Sequence, residues 1–239
     1  MFTVVRPERH NALDLVTIDA LADFVLALYE RPELQVAVIA GEGGSFIAGG
    51  DLAEFSKLKG EDAGRALSVR MGKILRDLEA LPQVSIAAIT GHAYGGGVEL
   101  CLACDMRIAE RDALIGLTQA KFGLTTAWGG TARLVRAVGY SAALDLLLNR
   151  RILHGQEAFD LGLVNRVVES GQAVGAAWNM GKDIAKLGRD LVVGIKRLAQ
   201  SSDRGPIEDA YVDETATFSK LWASERHERL VRTFLERKQ

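Results

Sequence analysis

The chain has 239 residues, 48% of them hydrophobic, with 29 basic and 31 acidic side chains and a formal net charge of −2. That length suffices for one substantial core with a smaller appended subdomain, and the near-balance of charge offers no global field to nucleic acid or an anionic membrane. No run approaches the roughly 18 consecutive apolar residues of a membrane span, and the opening Met1-Phe-Thr-Val-Val-Arg-Pro7 lacks the features of a signal peptide, so cytoplasmic residence is the expectation.

Ile18, Leu21, Val25 and Leu28 recur at helical spacing and predict an amphipathic helix over 15–29, closed by Pro32. Residues 36–40 are wholly apolar, the pattern of a strand covered on both faces, as in a parallel sheet. A glycine-rich loop over 41–51 follows. A second cycle repeats the order: Leu67, Met71, Ile74, Leu78 and Leu81 mark a helix ending before Pro82. Residues 84–89 then read as a second buried strand, 91–97 as a second glycine loop and 98–104 as a buried helix. Residues 106–109, the Gly129-Gly130 turn and 163–168 are each expected as a strand or its connection.

Such alternation argues for an α/β core of β-α repeats. Beyond about residue 171 the strand signals end and charged helical patterns run on, broken near 201–206. The expected organisation is a core over 1–170 that carries the site, and a helical region over 171–239.

Cys101 and Cys104 are the only cysteines. With no second C-x-x-C and no histidine pair to complete a metal site, they read as small apolar residues on a buried helix. Both glycine loops follow the carboxyl ends of buried strands, where α/β proteins place ligands. A phosphate cradle does not fit. There is no G-x-x-x-x-G-K-[ST], and Leu100 stands where a dinucleotide fingerprint wants its third glycine. The remaining readings are tight turns with close packing, or two loops that each offer a backbone N–H to one oxygen, forming an oxyanion hole. Glu99 is the only acidic or basic side chain that is charged near neutral pH in the apolar stretch 98–104. An unpaired buried carboxylate is expensive, so it is expected either to pair with a distant cation or to act as a general base beside the oxyanion hole.

At this point the residues closely resemble the crotonase (enoyl-CoA hydratase/isomerase) superfamily. Arg6-Pro-Glu-Arg-His-Asn-Ala-Leu13 is similar to its R-P-x-x-x-N-A-L opening, and residues 45–52 to its F-x-A-G-x-D-L loop. Residues 91–100 match G-x-A-x-G-G-G-x-E-L, followed by Cys104-Asp105. Residues 129–134 with Gly139 resemble G-G-x-x-R-L-x-x-x-x-G, Gly162-Leu-Val164 with Val167-Val168 follows, and Phe234-Leu-Glu-Arg237 is similar to the terminal motif. The resemblance implies a spiral of ββα units with a C-terminal helical trimerisation region, and a homotrimer or hexamer. It implies an acyl-CoA substrate, with coenzyme A as part of that substrate and no separate cofactor or metal. By position, Gly50 and Gly96 are the oxyanion-hole donors, and Ala48, Gly49, Asp51, Leu52, Gly95, Gly97 and Trp128 are expected against the substrate.

Departures from the family pattern bear on the reaction. Glu99 falls on the first catalytic glutamate of the hydratases, but the second falls on Gln119, which has no titratable proton near neutral pH. Simple enoyl isomerisation is therefore disfavoured. Ala127 stands where dehalogenases and dienoyl isomerases carry an aspartate. Trp128 is reminiscent of a branch that decarboxylates malonyl-type thioesters, although a packing aromatic is the plainer reading. His92 and Tyr94 read as loop-packing residues, and the first hairpin is expected to be truncated. Hydratase-type lyase chemistry leads, decarboxylation of a short malonyl-type acyl-CoA is the alternative, and a non-catalytic acyl-CoA or RNA binder is the reading from another class.

Overall fold

The computed structural model describes residues 1–236, with Arg204, Arg232, Phe234 and Leu235 by backbone alone. Strand β1 (Phe2–Val4) leads to helix α1 (Leu15–Tyr29), strand β2 (Val36–Gly41), the short α2 (Leu52–Phe55) and α3 (Glu61–Ala80). Strands β3 (Val84–Ile89) and β4 (His92–Tyr94) precede α4 (Gly96–Ala103), then β5 (Met106–Glu110) and β6 (Leu114–Gly116). Next come α5 (Gly130–Val138), α6 (Tyr140–Leu148), β7 (Leu153–His154), α7 (Gly155–Asp160) and β8 (Arg166–Val168). Helices α8 (Ala173–Lys186), α9 (Arg189–Arg204), α10 (Ile207–Trp222) and α11 (Glu225–Glu236) complete the described chain.

Strands β1-β2-β3-β5-β8 form one all-parallel sheet in that order. A second, smaller sheet has the order β4-β6-β7. Two successive coils, β3-β4-α4 and β5-β6-α5, each lay one strand in the large sheet, a short one in the small sheet, and then a helix. This is the spiral that the crotonase resemblance implies.

The apolar runs are continuous because both faces of the large sheet are covered. Ala37 and Ile39 of β2 and Ala87 and Ile89 of β3 pack with Ile18, Leu21, Val25 and Leu28 of α1 and Met71, Leu75 and Leu78 of α3. Val38, Ala40, Val84, Ile86, Ala88 and Ile108 face the other way, against Ala173 and Ala177 of α8 and Val192 of α9. Alternation along each strand sorts the side chains onto the two faces. At roughly 1.5–3 kcal/mol per fully buried large side chain, tertiary burial outweighs helix propensity in fixing α1. Its start is set locally, where the Asp14 carboxylate accepts the Thr17 N–H at 2.8 Å and the Thr17 hydroxyl at 2.6 Å.

One expectation changes. The helical region beyond residue 171 begins as part of the core, since α8 covers the second face of the sheet. The Gly129-Gly130 turn ends the connection from β6 to α5, with Gly129, at φ 89°, capping the N-terminus of α5. Asp105 ties α9 down. Its Oδ2 accepts the Ser85 N–H and hydroxyl at 2.7 and 2.9 Å and Lys196 Nζ at 2.7 Å, and Lys196 also donates to the Gln83 carbonyl at 2.8 Å. Towards the C-terminus the large apolar side chains of Phe218, Trp222 and Leu230 are exposed. The side chains of Phe234 and Leu235, and Arg237, lie outside the described residues.

Candidate active site

The first glycine loop is braced from the N-terminal segment. Asn11 is fully buried in a left-handed conformation, φ 59°. Its Oδ1 accepts the Arg6 N–H at 2.9 Å, and its Nδ2 donates to the carbonyls of Glu42 and Ser45 at 2.8 and 2.7 Å. The Arg6 guanidinium reaches Asp51 at 3.0 Å, Asp14 at 3.2 Å and the Ala12 carbonyl. Asp51 also accepts the N–H groups of Ala53 and Glu54, capping α2. Arg6, donating its hydrogen bond, is the largest influence holding the Asp51 carboxyl below its ordinary range.

The second loop is zipped to the first. Ile47 donates its N–H to the His92 carbonyl at 3.2 Å, and its own carbonyl accepts the Tyr94 N–H at 3.0 Å. A Cβ built on Gly49 would stand 3.5 Å from the Gly96 nitrogen, so Gly49-Gly50 and Gly95-Gly96 converge. Leu13 donates to the Gly49 carbonyl and accepts from Asp51, which leaves the Gly50 N–H between them unused. Among the described residues neither Gly50 nor Gly96 donates its N–H to an acceptor. Gly96 opens α4, where first-turn N–H groups lack intrahelical partners and the helix dipole favours negative charge. Packing also demands glycine at both positions. A Cβ on Gly50 would overlap the Phe55 ring, and one on Gly96 would overlap the six-membered edge of Trp128.

Glu99, 2% exposed on α4, points at the turn before α5. Its Oε2 accepts the N–H groups of Trp128 and Gly130 at 2.7 and 2.9 Å. Its Oε1 accepts Gln119 Nε2 at 2.9 Å and, at the longer distance of 3.3 Å, the Ala127 N–H. An ionised carboxylate has about four acceptor positions, and all are taken. The approach is so close that a Cβ on Gly130 would lie 2.7 Å from Oε2. Gln119 is therefore turned with its amide nitrogen toward Glu99, and its buried Oε1 has no partner among the described residues. The carboxylate compensates its burial with amide donors; among the described residues no cation pairs with it.

A sequence profile of the enoyl-CoA hydratase/isomerase family matches residues 1–239. The chain belongs to this family. It is 34% identical over 243 residues to the short-chain-enoyl-CoA hydratase of Clostridium acetobutylicum, an alignment covering 99% of this chain and 90% of that protein. It is 33% identical over 234 residues to the crotonyl-CoA hydratase of Syntrophomonas wolfei, covering 98% of this chain and 90% of the relative. Among solved structures it is similar to the enoyl-CoA hydratase of Bacillus anthracis, with a TM-score of 0.92 and 30% identity, covering 98% and 91% of the two chains.

The residues singled out in the sequence do not all lie together. Gly49, Gly50, Gly95, Gly96, Glu99, Gln119 and Trp128 come together where the two loops meet the turn before α5. Asp51 braces the loop through Arg6 and α2, and Leu52 is 54% exposed at the start of α2; Ala48 donates its N–H to the His10 carbonyl at 3.1 Å. Gly97 serves packing, because a Cβ there would overlap the Ile47 carbonyl. The rings of His92 and Tyr94 pack at a tilt of 48° with 5.4 Å between centroids, and His92 Nδ1 lies 3.4 Å from Ser45 Oγ. Cys101 and Cys104 are buried free thiols whose Sγ atoms donate to the Val98 and Leu100 carbonyls. No helix of the described residues is long and apolar enough to cross a membrane.

Sequence reasoning missed three contributors. Phe55 packs on Gly50. Ser68 Oγ donates to the Ala127 carbonyl at 2.6 Å, tying α3 to the turn. Arg133 Nη1 donates to the Trp128 carbonyl at 2.6 Å while its Nε and Nη2 grip both oxygens of Glu79 at 2.9 and 2.8 Å. Arg133 stood in the quoted G-G-x-x-R-L motif and was the one legible signal of the three.

Proposed function

We propose that the chain processes a short acyl-CoA thioester whose carbonyl oxygen lies between the N–H groups of Gly50 and Gly96, and that it adds water to a conjugated 2-enoyl thioester. The observation that carries this reading is the buried, unpartnered Oε1 of Gln119 beside the Glu99 carboxylate. A buried acceptor without a donor is costly, and a water accounts for it by donating one O–H to Gln119 and the other to Glu99. Glu99 Oε1 can take that second proton by releasing its longest contact, the 3.3 Å one from Ala127.

In this mechanism Glu99 removes a proton as the water oxygen bonds to the β-carbon. The electrons of the double bond move toward the thioester, and the two N–H groups hold the resulting enolate oxygen. Gln119 has no proton to give, so Glu99 returns the same proton to the α-carbon. The net change is one water across the double bond. The names of the hydratase relatives support the same reaction. The acting species is proposed to be a homotrimer or hexamer, with coenzyme A entering only as part of the substrate.

Decarboxylation of a malonyl-type thioester is the second reading, favoured by the full complement of donors on Glu99 and by the missing second carboxylate. There the C–C bond electrons pass directly into the enolate as carbon dioxide leaves, and no strong base is needed. Incubation with crotonyl-CoA and with methyl- and ethylmalonyl-CoA, read by mass spectrometry, separates the two. Gln119→Glu sharpens the result: it raises crotonyl-CoA hydration under the first reading. Under the second it lowers decarboxylation, because a new carboxylate repels that of the substrate. Turnover of a malonyl thioester but not of crotonyl-CoA overturns hydration.

A further inference from the structure

The indole of Trp128 occupies the space that a side chain at residue 96 would need. Covalent geometry then puts its six-membered edge within about 5 Å of the Gly96 nitrogen. The ring is 5% exposed and belongs to the main core cluster. Its backbone is pinned at both ends, since the N–H goes to Glu99 at 2.7 Å and the carbonyl receives Arg133 at 2.6 Å. Arg133 is itself gripped by Glu79 through two hydrogen bonds. Ser68 of α3 fixes the preceding peptide. These contacts fix the peptide from which the ring projects, and close packing in the core confines the ring itself. On the other loop, the Phe55 ring stands in the same relation to Gly50.

An oxygen hydrogen-bonded to Gly96 lies about 2.9 Å from its nitrogen, and acyl carbons follow in steps of about 1.5 Å. A chain of more than a few carbons that runs toward the Cβ side of Gly96 comes level with the indole edge. We propose that Trp128 is the specificity-determining residue that limits acyl length, walling the cleft beside Gly96 so that short acyl groups fit and longer ones do not. The inference rests on the acyl-CoA reading above, and it concerns which thioesters are taken rather than which reaction follows.

Removing the indole leaves an apolar void. A dry cavity on the order of 150 Å³ accepts an apolar guest of benzene size, and each methylene newly buried there strengthens binding roughly fourfold. The experiment is isothermal titration of wild type, Trp128→Ala and Trp128→Leu with free CoA and with butyryl-, hexanoyl- and octanoyl-CoA. The leucine variant keeps an apolar side chain in case the alanine variant does not fold. Wild type is expected to bind butyryl-CoA more tightly than free CoA, with no gain from butyryl to octanoyl. In the variants octanoyl-CoA should gain at least tenfold over wild type, while free CoA and butyryl-CoA stay within about threefold. If octanoyl-CoA already binds wild type in proportion to its length, or if truncation leaves the octanoyl-to-butyryl ratio unchanged, the Trp128 assignment is wrong and the acyl-CoA reading stands. If wild type binds no thioester more tightly than free CoA, the acyl-CoA reading itself falls, and this inference with it.

Discussion

Replacing Glu99 separates its role as an anchor from its role as a base. In Glu99→Gln one carboxylate oxygen becomes an amide nitrogen. The arrangement of least cost puts that nitrogen at Oε1, where Gln119 can turn over and accept from it, and keeps an oxygen at Oε2 for the N–H groups of Trp128 and Gly130. Those two bonds then lose charge assistance, and Ala127, which is exposed, turns its N–H to water. The loss is about 1–3 kcal/mol, given that a hydrogen bond to a charged group contributes about 1.5–3 kcal/mol and a neutral one about 0.5–1.5. Glu99→Leu leaves the buried Trp128 and Gly130 donors with no acceptor, at about 1–3 kcal/mol each, so it should cost about 2–6 kcal/mol. At about 2–4 °C per kcal/mol for a chain of this size, that is a drop of roughly 4–24 °C in Tm. Urea denaturation of wild type and both variants measures the anchor. Initial rates with crotonyl-CoA measure the base, whose loss in Glu99→Gln should cut kcat by about 10²–10⁴ with thioester affinity nearly unchanged. A Glu99→Leu protein as stable as wild type would refute the anchoring argument, because the three backbone donors would then have no need of the carboxylate.

Asp51 supplies a pH test. Its folded-state pKa lies below the ordinary 3.8, chiefly through the hydrogen bond from Arg6. The contribution is therefore fully present above that value and lost as pH falls through the lowered folded-state pKa. Asp51→Asn should flatten the fall in urea midpoint below about pH 4, and an unchanged acid limb would remove Asp51 from the brace. Burial pushes the Cys101 thiol up to about 12 and Cys104 further still. Neither should react with a disulfide reagent at mildly alkaline pH until the protein unfolds; rapid labelling of the native protein would contradict that. The exposed Phe218, Trp222 and Leu230 near the C-terminus motivate an oligomer. Sedimentation velocity should give a species several times the 25.8 kDa chain mass, whereas a single species at that mass would contradict it.

What the sequence disclosed follows from where the physics is local. The stripe Ile18, Leu21, Val25, Leu28 gave α1 to the residue, because burial on one helical face leaves a 3.6-residue period. Strands β2 and β3 read as unbroken apolar runs because the sheet is covered twice. Glu99 stood out as a lone charge among apolar neighbours. Its side-chain partner Gln119 stood out through the family pattern, but its backbone partners did not, since Ala127, Trp128 and Gly130 lie about thirty residues on and offer only N–H groups, which every sequence has. The alternative of a distant cation failed for that reason. Strands β4, β6 and β7 are two or three residues long, too short for alternation to register. The contact of Trp128 with Gly96 is likewise a matter of tertiary packing, and no spacing rule announces it.

The central claim is that the N–H groups of Gly50 and Gly96 together hold a thioester oxygen, and the oxygen itself can report it. Isotope-edited infrared difference spectroscopy of carbonyl-labelled butyryl-CoA, free and bound, follows one vibration without altering either glycine, where any Cβ would displace Phe55 or Trp128. Two converging donors, that of Gly96 at the positive end of α4, would polarise the carbonyl more than water does, so the stretch should narrow and move to lower frequency on binding. A bound carbonyl that absorbs at or above its frequency in water would show that the two N–H groups do not hold it.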